Sequence, residues 1–193
     1  KRGSETIIPH GTDAVQIGDL AYCICTKENL EFLREELGKP KREIKNVMFF
    51  GGSRIAQKSA QSLPSDFNIK ILEPDRELCY HLSEKISNAL VIHADGSDLE
   101  QLKAEGIEDA DAFVAVTDRS EANIFACLAA KRLGVHKTIA DIENMDYLQM
   151  AEGLDIGTVL NKKTIAASYI YQLLLNASVL NVKNLTSIDA EII

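Results

Sequence analysis

The chain has 193 residues, of which 46% are hydrophobic and 26% are charged, and its formal net charge at pH 7 is −8. Such a composition is typical of a globular domain, whereas the negative charge disfavours general binding to nucleic acids or anionic membranes. No apolar run approaches the ~18 residues of a membrane span, and no signal-peptide pattern follows the N-terminus. We therefore expect a soluble, intracellular protein.

The first forty residues predict two short strands and one helix, which is too little for an independent core. The expected elements are strands at Thr6–Pro9 and Leu20–Cys25 and a helix at Lys27–Leu37 that Gly38 ends. A charged, proline-containing linker is expected at 39–45. Cys23 and Cys25 lack a histidine at zinc-finger spacing, so reduced thiols are favoured over a metal site.

From Asn46 onward, continuous apolar runs alternate with helical patterns. Strands are predicted at Val47–Phe50, Ile69–Leu72, Ala89–Ile92, Ala112–Val116, Lys137–Ala140 and Thr158–Leu160. Helices are predicted at Arg54–Leu63, Asp75–Ile86, Asp98–Ala104, Ser120–Leu133 and Tyr147–Glu152, with Asp75, Asp98 and Ser120 as N-caps. The alternation predicts an α/β fold with a doubly wound parallel sheet. A helix at Lys162–Asn176 and a strand-like segment at Val179–Ile193 follow.

The turn between the first strand of this sheet and its helix reads Gly51-Gly52-Ser53-Arg54-Ile55-Ala56. This G-x-S-x-x-A sequence is a degenerate form of the dinucleotide-binding fingerprint G-x-G-x-x-G/A. Gly51 fits the tight turn, and the helix N-terminus presents free N–H groups to an anion. Ser53 stands where the backbone approaches the pyrophosphate. Its hydroxyl either contacts the phosphates, crowds them, or simply caps the helix.

Glu73 ends the second strand, 22 residues after Gly51. An acidic residue in this position binds ribose hydroxyls in dinucleotide-binding folds, and its charge disfavours a 2′-phosphate. The alternative is an exposed loop carboxylate. Further polar side chains follow the third and fourth strands, where we expect them to meet the same ligand: His93, Asp95, Ser97, Thr117, Asp118, Glu121 and Asn123.

No catalytic constellation accompanies this crevice. The sequence contains no G-x-S-x-G elbow and no cysteine and histidine at a spacing that indicates a nucleophile. A small NAD-dependent oxidoreductase would need a substrate domain with an acid or base. The sequence therefore favours a binding module over an enzyme.

Several runs resemble the RCK (KTN) domains of TrkA-type proteins, the regulatory subunits of bacterial Trk potassium uptake systems. These runs are Val47–Ile55, Ala94–Asp98, Ala115–Asn123 and Ala129–Gly134. The resemblance implies a Rossmann-like nucleotide-binding lobe over 46–160. It also implies a partial TrkA-C-like lobe over 1–38, and a crossover helix with the start of the next such lobe over 161–193.

Carried over to this chain, the resemblance implies nine cofactor-binding residues and no metal site. They are Gly51, Gly52, Ser53, Arg54 and Ile55 in the phosphate loop, Glu73 as the ribose acid, Asp95 with Gly96 after the third strand, and Thr117 after the fourth. Arg54 matches a position where some relatives place an arginine on a neighbour's terminal phosphate. The family usually has glycine where this chain has Ser53, Ala56 and Ala94.

The resemblance further implies a cytoplasmic regulatory subunit that binds NAD(H) or ATP/ADP and gates a membrane potassium-translocating subunit of the Trk type. Such lobes form homo-oligomers, as dimers or tetrameric rings, and lie at the inner membrane through the transporter subunit. They insert into no membrane and bind no nucleic acid. A small NAD-dependent oxidoreductase and a structural lobe that binds no nucleotide stay open as alternatives.

Overall fold

The computed structural model describes residues 2, 5–38, 42–152, 154–174, 183–184 and 191–192. The chain divides into two compact units, one formed by 43–166 and the other by 1–42 together with 167–193. No helix in the described part of the chain is long and apolar enough to cross a membrane.

In the N-terminal segment, a 3-10 turn at Lys27–Asn29 leads into helix α1, Leu30–Glu36, which agrees with the predicted helix. The strands predicted at Thr6–Pro9 and Leu20–Cys25 are wrong, because both segments are irregular. Their side chains are largely exposed, with Ile8 at 81% and Ile24 at 77%. A β-strand is stabilised by apolar cover, and these exposed side chains do not have it. The predicted linker lies partly outside the described residues, since 39–41 are not among them.

The unit 43–166 is built on a six-stranded sheet that is parallel throughout, as the alternating pattern predicts. Its strands are β1 Asn46–Phe50, β2 Asn68–Glu73, β3 Leu90–His93, β4 Ala112–Ala115, β5 Lys137–Asp141 and β6 Thr158–Leu160. The spatial order is β3-β2-β1-β4-β5-β6. The chain therefore reverses its winding direction between β1 and β4, where Phe50 pairs with Leu72 on one side and Ala115 on the other. Such a reversal opens a crevice at the carboxyl ends of the strands.

Helices cover both faces of the sheet, and α7 follows β6. They are α2 Arg54–Ser62, α3 Arg76–Lys85, α4 Leu99–Ala104, α5 Ser120–Arg132, α6 Met145–Glu152 and α7 Lys162–Leu174. The last residues of the helix predicted to reach Asn176 lie outside the described residues. Within the strand-like C-terminal segment, β7 Lys183–Asn184 pairs antiparallel with β8 Glu191–Ile192.

The core lies in two layers because successive side chains of a strand point to opposite faces. Val47 and Phe49 of β1 join the layer under α2 and α3. Met48 and Phe50 join the layer that contains residues of α4, α5 and α6. Burial on both faces explains why β1 is an uninterrupted apolar run rather than an alternating one.

The predicted helix caps are confirmed at Asp75 and Asp98 and wrong at Ser120. The Asp75 carboxylate accepts hydrogen bonds from two N–H groups in the first turn of α3, and Asp98 does the same for α4. Ser120 is instead the first helical residue of α5, after Arg119. Its buried hydroxyl accepts the N–H of Glu143 at 3.0 Å, because the side chain faces the loop after β5.

Candidate functional site

The tight turn after β1 requires glycine at its first position. Gly51 has φ of +95°, a conformation that side chains other than glycine rarely adopt. A Cβ at this position would also lie 2.8 Å from Cγ2 of Thr117. The Gly51 N–H donates to the Leu72 carbonyl at 2.8 Å. The turn therefore lies directly between the ends of β2 and β4.

Glu73 lies against the same turn and is only 7% exposed. Its Oε2 accepts the Gly52 N–H at 2.6 Å, and its Oε1 accepts the Asp75 N–H at 2.9 Å. The interpretation of Glu73 as an exposed loop carboxylate is wrong, because these two bonds hold it against the backbone. Each carboxylate oxygen keeps further acceptor capacity, so the side chain can still accept a ribose hydroxyl.

The N-terminus of α2 presents unpaired backbone donors. Ser53 is the N-cap, as one of the sequence interpretations predicts, and its hydroxyl accepts the Ala56 N–H at 3.4 Å. Among the described residues, the N–H groups of Ser53, Arg54 and Ile55 have no hydrogen-bond acceptor. Three free N–H groups at a helix N-terminus form an anion site.

Arg54 and Ile55 differ in what their side chains add to this site. The Arg54 side chain is exposed, and the described residues offer it no carboxylate. The Ile55 side chain packs against the core layer under α2 and α3. Arg54 can therefore add a positive charge to the anion site, whereas Ile55 contributes only its backbone.

The loop after β3 brings Asp95 and Gly96 to the same edge of the sheet. Asp95 Oδ1 accepts the Ser97 N–H at 2.9 Å and the Ser97 hydroxyl at 2.7 Å, and this pairing shapes the loop. A Cβ on Gly96 would lie 2.4 Å from the Phe50 ring. Glycine is therefore needed for the loop to approach β1 this closely. His93, at the end of β3, contacts the Pro74 carbonyl through Nε2 at 2.9 Å.

At the end of β4, the structure corrects the expectation for Asn123. The Asn123 side chain is fully buried at 0% exposure. Its Oδ1 accepts the N–H and hydroxyl of Thr117, and its Nδ2 donates to the carbonyls of Thr117 and Asp141. With its hydrogen-bonding capacity fully used, Asn123 holds two strand ends together rather than facing a ligand. Thr117 itself is half-buried beside Gly51.

A cleft of about 480 Å³ lies at the carboxyl ends of β4 and β5. Its lining residues carry both acidic and basic side chains as well as apolar ones: Asp118, Ser120, Glu121, Glu143, Asn144, Met145, Tyr147 and Lys163. Asp118 follows Thr117 directly in the sequence, so the cleft continues from the residue that packs on Gly51. Sequence reasoning placed Asp118 and Glu121 near a ligand but did not find the β5 side of this cleft.

Three residues beside the cleft were missed from the sequence: Asp141, Asn161 and Lys162. The Asp141 carboxylate is 1% exposed and lies 2.8 Å from the Lys162 ammonium. Lys162 also pairs with Glu143, and the two contacts raise the pKa of Lys162, the Asp141 contact contributing most. The available signal was an aspartate that directly follows the apolar pair Ile139-Ala140 at the end of β5.

The cysteines and histidines add no second site. Burial raises the pKa of the Cys127 thiol to about 12 and raises that of Cys79 as well, so these two thiols are poor nucleophiles. Cys23 and Cys25 are free and exposed. Over the described ranges, no three side chains among His, Cys, Asp and Glu gather in a group able to hold a metal ion.

The structure thus brings the nine predicted cofactor-binding residues to one edge of the sheet, around the reversal between β1 and β4. Direct contacts join Gly52 to Glu73, and close approaches join Gly51 to Thr117 and Gly96 to Phe50. Ser53, Arg54 and Ile55 supply the free N–H groups.

Solved structures show the same fold. The TrkA-N domain of the inner membrane protein ybaL from Escherichia coli matches with a TM-score of 0.60 at 15% identity, covering 69% of this chain and 99% of that one. The GsuK channel bound to NAD matches with a TM-score of 0.55 at 16% identity, covering 73% and 27% of the two chains. The Kef C-terminal domain of Shewanella denitrificans in its AMP-bound form matches with a TM-score of 0.55 at 20% identity, covering 69% and 84%.

Sequence comparisons point to one family. The Trk system potassium uptake protein TrkA of Halomonas elongata is 28% identical over 192 residues, which are 100% of this chain and 42% of that protein. The TrkA protein of Haemophilus influenzae is 33% identical over 168 residues, 86% of this chain and 37% of that protein. The chain thus spans less than half the length of these relatives. The TrkA-N domain model matches residues 47–162, nearly the whole of the sheet unit. The chain therefore belongs to the TrkA-N domain family.

Proposed function

We propose that this chain is the nucleotide-binding part of a cytoplasmic regulatory subunit of a potassium uptake system. The observation that carries the proposal is the set of free N–H groups on Ser53, Arg54 and Ile55 at the start of α2. They lie beside Glu73, the acidic residue that ends β2. A ligand with both phosphate and ribose groups satisfies the two features together.

In this proposal the backbone of the phosphate loop binds the phosphates, with Arg54 adding positive charge. Gly51 and Gly52 use their own N–H groups to shape the loop, so they act by allowing close approach. Glu73 accepts a ribose hydroxyl through its remaining acceptor capacity. Asp95, Gly96 and Thr117 border the rest of the nucleotide.

The ligand class is NAD(H) or an adenine nucleotide such as ATP or ADP, and one observation favours the dinucleotide. The cleft at the ends of β4 and β5, about 480 Å³ in volume, gives room for a second nucleoside beyond the phosphate loop. The GsuK channel binds NAD, and the Kef domain binds AMP. Because both matches are below 25% identity, they support nucleotide binding in this fold without selecting the ligand.

The proposed mechanism is regulatory and not catalytic. A nucleotide that binds one arrangement of paired lobes more tightly than another shifts the population toward that arrangement. We propose that this shift gates a membrane potassium-translocating subunit of the Trk type, and that the lobe works as a homo-oligomer, either a dimer or a tetrameric ring. The protein would then lie in the cytoplasm, held at the inner membrane through the transporter subunit.

A structural lobe that binds no nucleotide is the competing function. It is favoured by the internal bond between Gly52 and Glu73, which already satisfies one loop donor. Calorimetric titration with NADH, NAD⁺, ATP and ADP at equal concentrations separates the two. The proposal predicts saturable binding with one ligand per lobe, whereas the structural lobe would give no heat of binding with any of the four.

A further inference from the structure

The phosphate loop packs on the end of β4 with no room for a side chain at Gly51. A Cβ on Gly51 would lie 2.8 Å from Thr117 Cγ2 and 3.0 Å from the Thr117 backbone nitrogen. Glycine lacks this Cβ, so the distances show that the Gly51 backbone packs directly on Thr117 and leaves no room for even a methyl group between them. A movement of the loop toward β4 must therefore move Thr117.

Asn123 connects Thr117 to the end of β5. Its Oδ1 accepts the Thr117 N–H at 3.1 Å and the Thr117 hydroxyl at 2.6 Å. Its Nδ2 donates to the Asp141 carbonyl at 2.8 Å. The amide is fully buried and has no spare donor or acceptor, so Thr117 cannot shift without straining the bond to Asp141.

Asp141 in turn depends on Lys162. Its carboxylate is 1% exposed and accepts no hydrogen bond of regular geometry from the described residues. The Lys162 Nζ lies 2.8 Å from Oδ2 and supplies the neutralising charge. Because a buried carboxylate without a partner is strongly unfavourable, the position of Asp141 and the position of the Lys162 ammonium are tied together.

Lys162 is also the first residue of α7. The preceding residue, Asn161, is 4% exposed and caps the helix, with Oδ1 accepting the Thr164 N–H at 3.0 Å. Its Nδ2 donates to the Ile142 carbonyl at 2.7 Å. Two adjacent side chains thus fasten the first turn of α7 to the end of β5.

We propose that Thr117, Asn123, Asp141 and Lys162 form a continuous link between the phosphate loop and the first turn of α7. Asn123 and Lys162 are its positioning residues. The link rests on the proposed function in one respect, which is that a nucleotide is the ligand that acts on the loop. Since coupling between two sites is reciprocal, loosening the α7 end must also loosen the loop end.

The reciprocal effect can be tested without any nucleotide. The variant Lys162→Gln removes the charge, and Lys103→Gln removes a comparable charge from an exposed pair with Glu100 on α4. Amide hydrogen exchange by NMR is measured for the Thr117 N–H, whose acceptor is Asn123 Oδ1. We expect the Thr117 N–H to exchange about threefold faster in Lys162→Gln than in wild type. In Lys103→Gln its exchange rate should equal that of wild type. The variant Lys162→Arg keeps the positive charge, so the Thr117 N–H should exchange as slowly as in wild type.

Exchange that speeds up only in the first turn of α7 would overturn the link and leave Lys162 as a local helix anchor.

A second experiment repeats the exchange measurement on the same variants with NADH added. Wild type should show slower exchange at the start of α7 when NADH binds, and Lys162→Gln should bind NADH without this change. A response at α7 that persists in Lys162→Gln also overturns the link. If NADH does not bind wild type, the proposed function fails, while the nucleotide-free comparison still decides the link.

Discussion

In the nucleotide site proposed at the start of α2, backbone groups and not side chains provide most of the binding chemistry. Ser53, Arg54 and Ile55 each offer an N–H without an acceptor, and the helix dipole adds a positive partial charge at the same place. Glu73 supports this arrangement by holding the Gly52 N–H at 2.6 Å. Its carboxylate shapes the loop, and in the proposed function it also accepts a ribose hydroxyl.

Replacing Glu73 tests both tasks at once. Glu73→Ala leaves the buried Gly52 N–H without its acceptor and removes the ribose partner, so we expect NADH affinity to fall roughly 10- to 100-fold. The melting temperature should fall as well. Glu84→Ala, which removes an exposed carboxylate from α3, is the matched control and should change neither quantity. Calorimetry with wild type should also show tighter binding of NADH than of NADPH. Tighter binding of NADPH would mean that the role given to Glu73 is wrong.

Ser53→Gly distinguishes crowding from contact at the third loop position. The Ser53 hydroxyl is directed to the Ala56 N–H, so its loss should cost the helix only a few tenths of a kcal/mol. Restoring backbone access to the phosphates should tighten NADH binding by about threefold. Ser62→Gly, at the exposed end of the same helix, should leave the affinity unchanged. A marked loss of affinity in Ser53→Gly would show instead that the hydroxyl contacts the ligand.

Sequence spacing locates a residue when the residue belongs to a recognisable strand-turn-helix motif. Gly51 and Glu73 could be placed from their spacing alone. Asn123 could not, because a buried amide and a solvent-facing amide look the same in a sequence. Lys162 was also missed, since its partner Asp141 is 21 residues away in the chain. Only the fold brings the two together.

At the scale of elements, one carboxylate joins the beginnings of β1 and β4. Asp111 Oδ2 accepts the N–H of Lys45 at 2.9 Å and that of Asn46 at 2.8 Å. These bonds stabilise the charged form and hold the pKa of Asp111 below its usual value, the Asn46 bond contributing most. The stabilisation is therefore fully present above the unfolded-state pKa of about 3.9 and is lost as the pH falls through the lower folded-state pKa.

Asp111→Asn should accordingly lower the free energy of unfolding at pH 7 by roughly 1–3 kcal/mol. The difference from wild type should shrink below about pH 4, where the Asp111 carboxylate of the unfolded wild-type chain begins to take up its proton. Urea unfolding at a series of pH values measures this difference. The control variant Glu108→Gln changes an exposed carboxylate close to Asp111 in the sequence. Its free energy of unfolding should equal that of wild type. A difference in Asp111→Asn that stays constant down to acid pH would contradict the account.

Most elements of the sheet unit could be predicted because the strands carry short apolar runs and some helices begin at a clear N-cap, such as Asp75 and Asp98. The predictions failed for the strands at Thr6–Pro9 and Leu20–Cys25. Those segments have strand-like sequences, but in the structure their backbone is irregular and their side chains are largely exposed. The local sequence pattern is enough to predict a buried parallel strand. Whether an exposed segment forms a strand depends on a partner that the local pattern does not reveal.

At the scale of the whole molecule, α7 carries an apolar stripe that remains exposed in the single chain. Its members are Ile165, Tyr169, Ile170, Leu173 and Leu174, each more than half exposed. We expect two copies of the chain to pair through this stripe, because exposed apolar surface of this kind marks an association site and two-fold pairing is the commonest solution.

The double variant Ile170→Asp with Leu174→Asp should be monomeric, because charge in the stripe opposes its burial. Light scattering at tens of micromolar measures the mass, and circular dichroism checks that the lobe stays folded. Tyr171→Asp places the same charge on the other side of the helix and should remain dimeric. If wild type is monomeric under these conditions, the predicted pairing is wrong, and so is the oligomeric mechanism proposed for this chain.

The proposed function depends above all on a nucleotide that binds at the N-terminus of α2. NMR titration of isotope-labelled protein with NADH tests this directly, because it reports on each backbone N–H separately. We expect the amide signals of Ser53, Arg54 and Ile55 to shift most, followed by those of Gly52 and Thr117. Saturating NADH that leaves these amides unchanged, or that shifts only residues away from the phosphate loop, would contradict the proposed function.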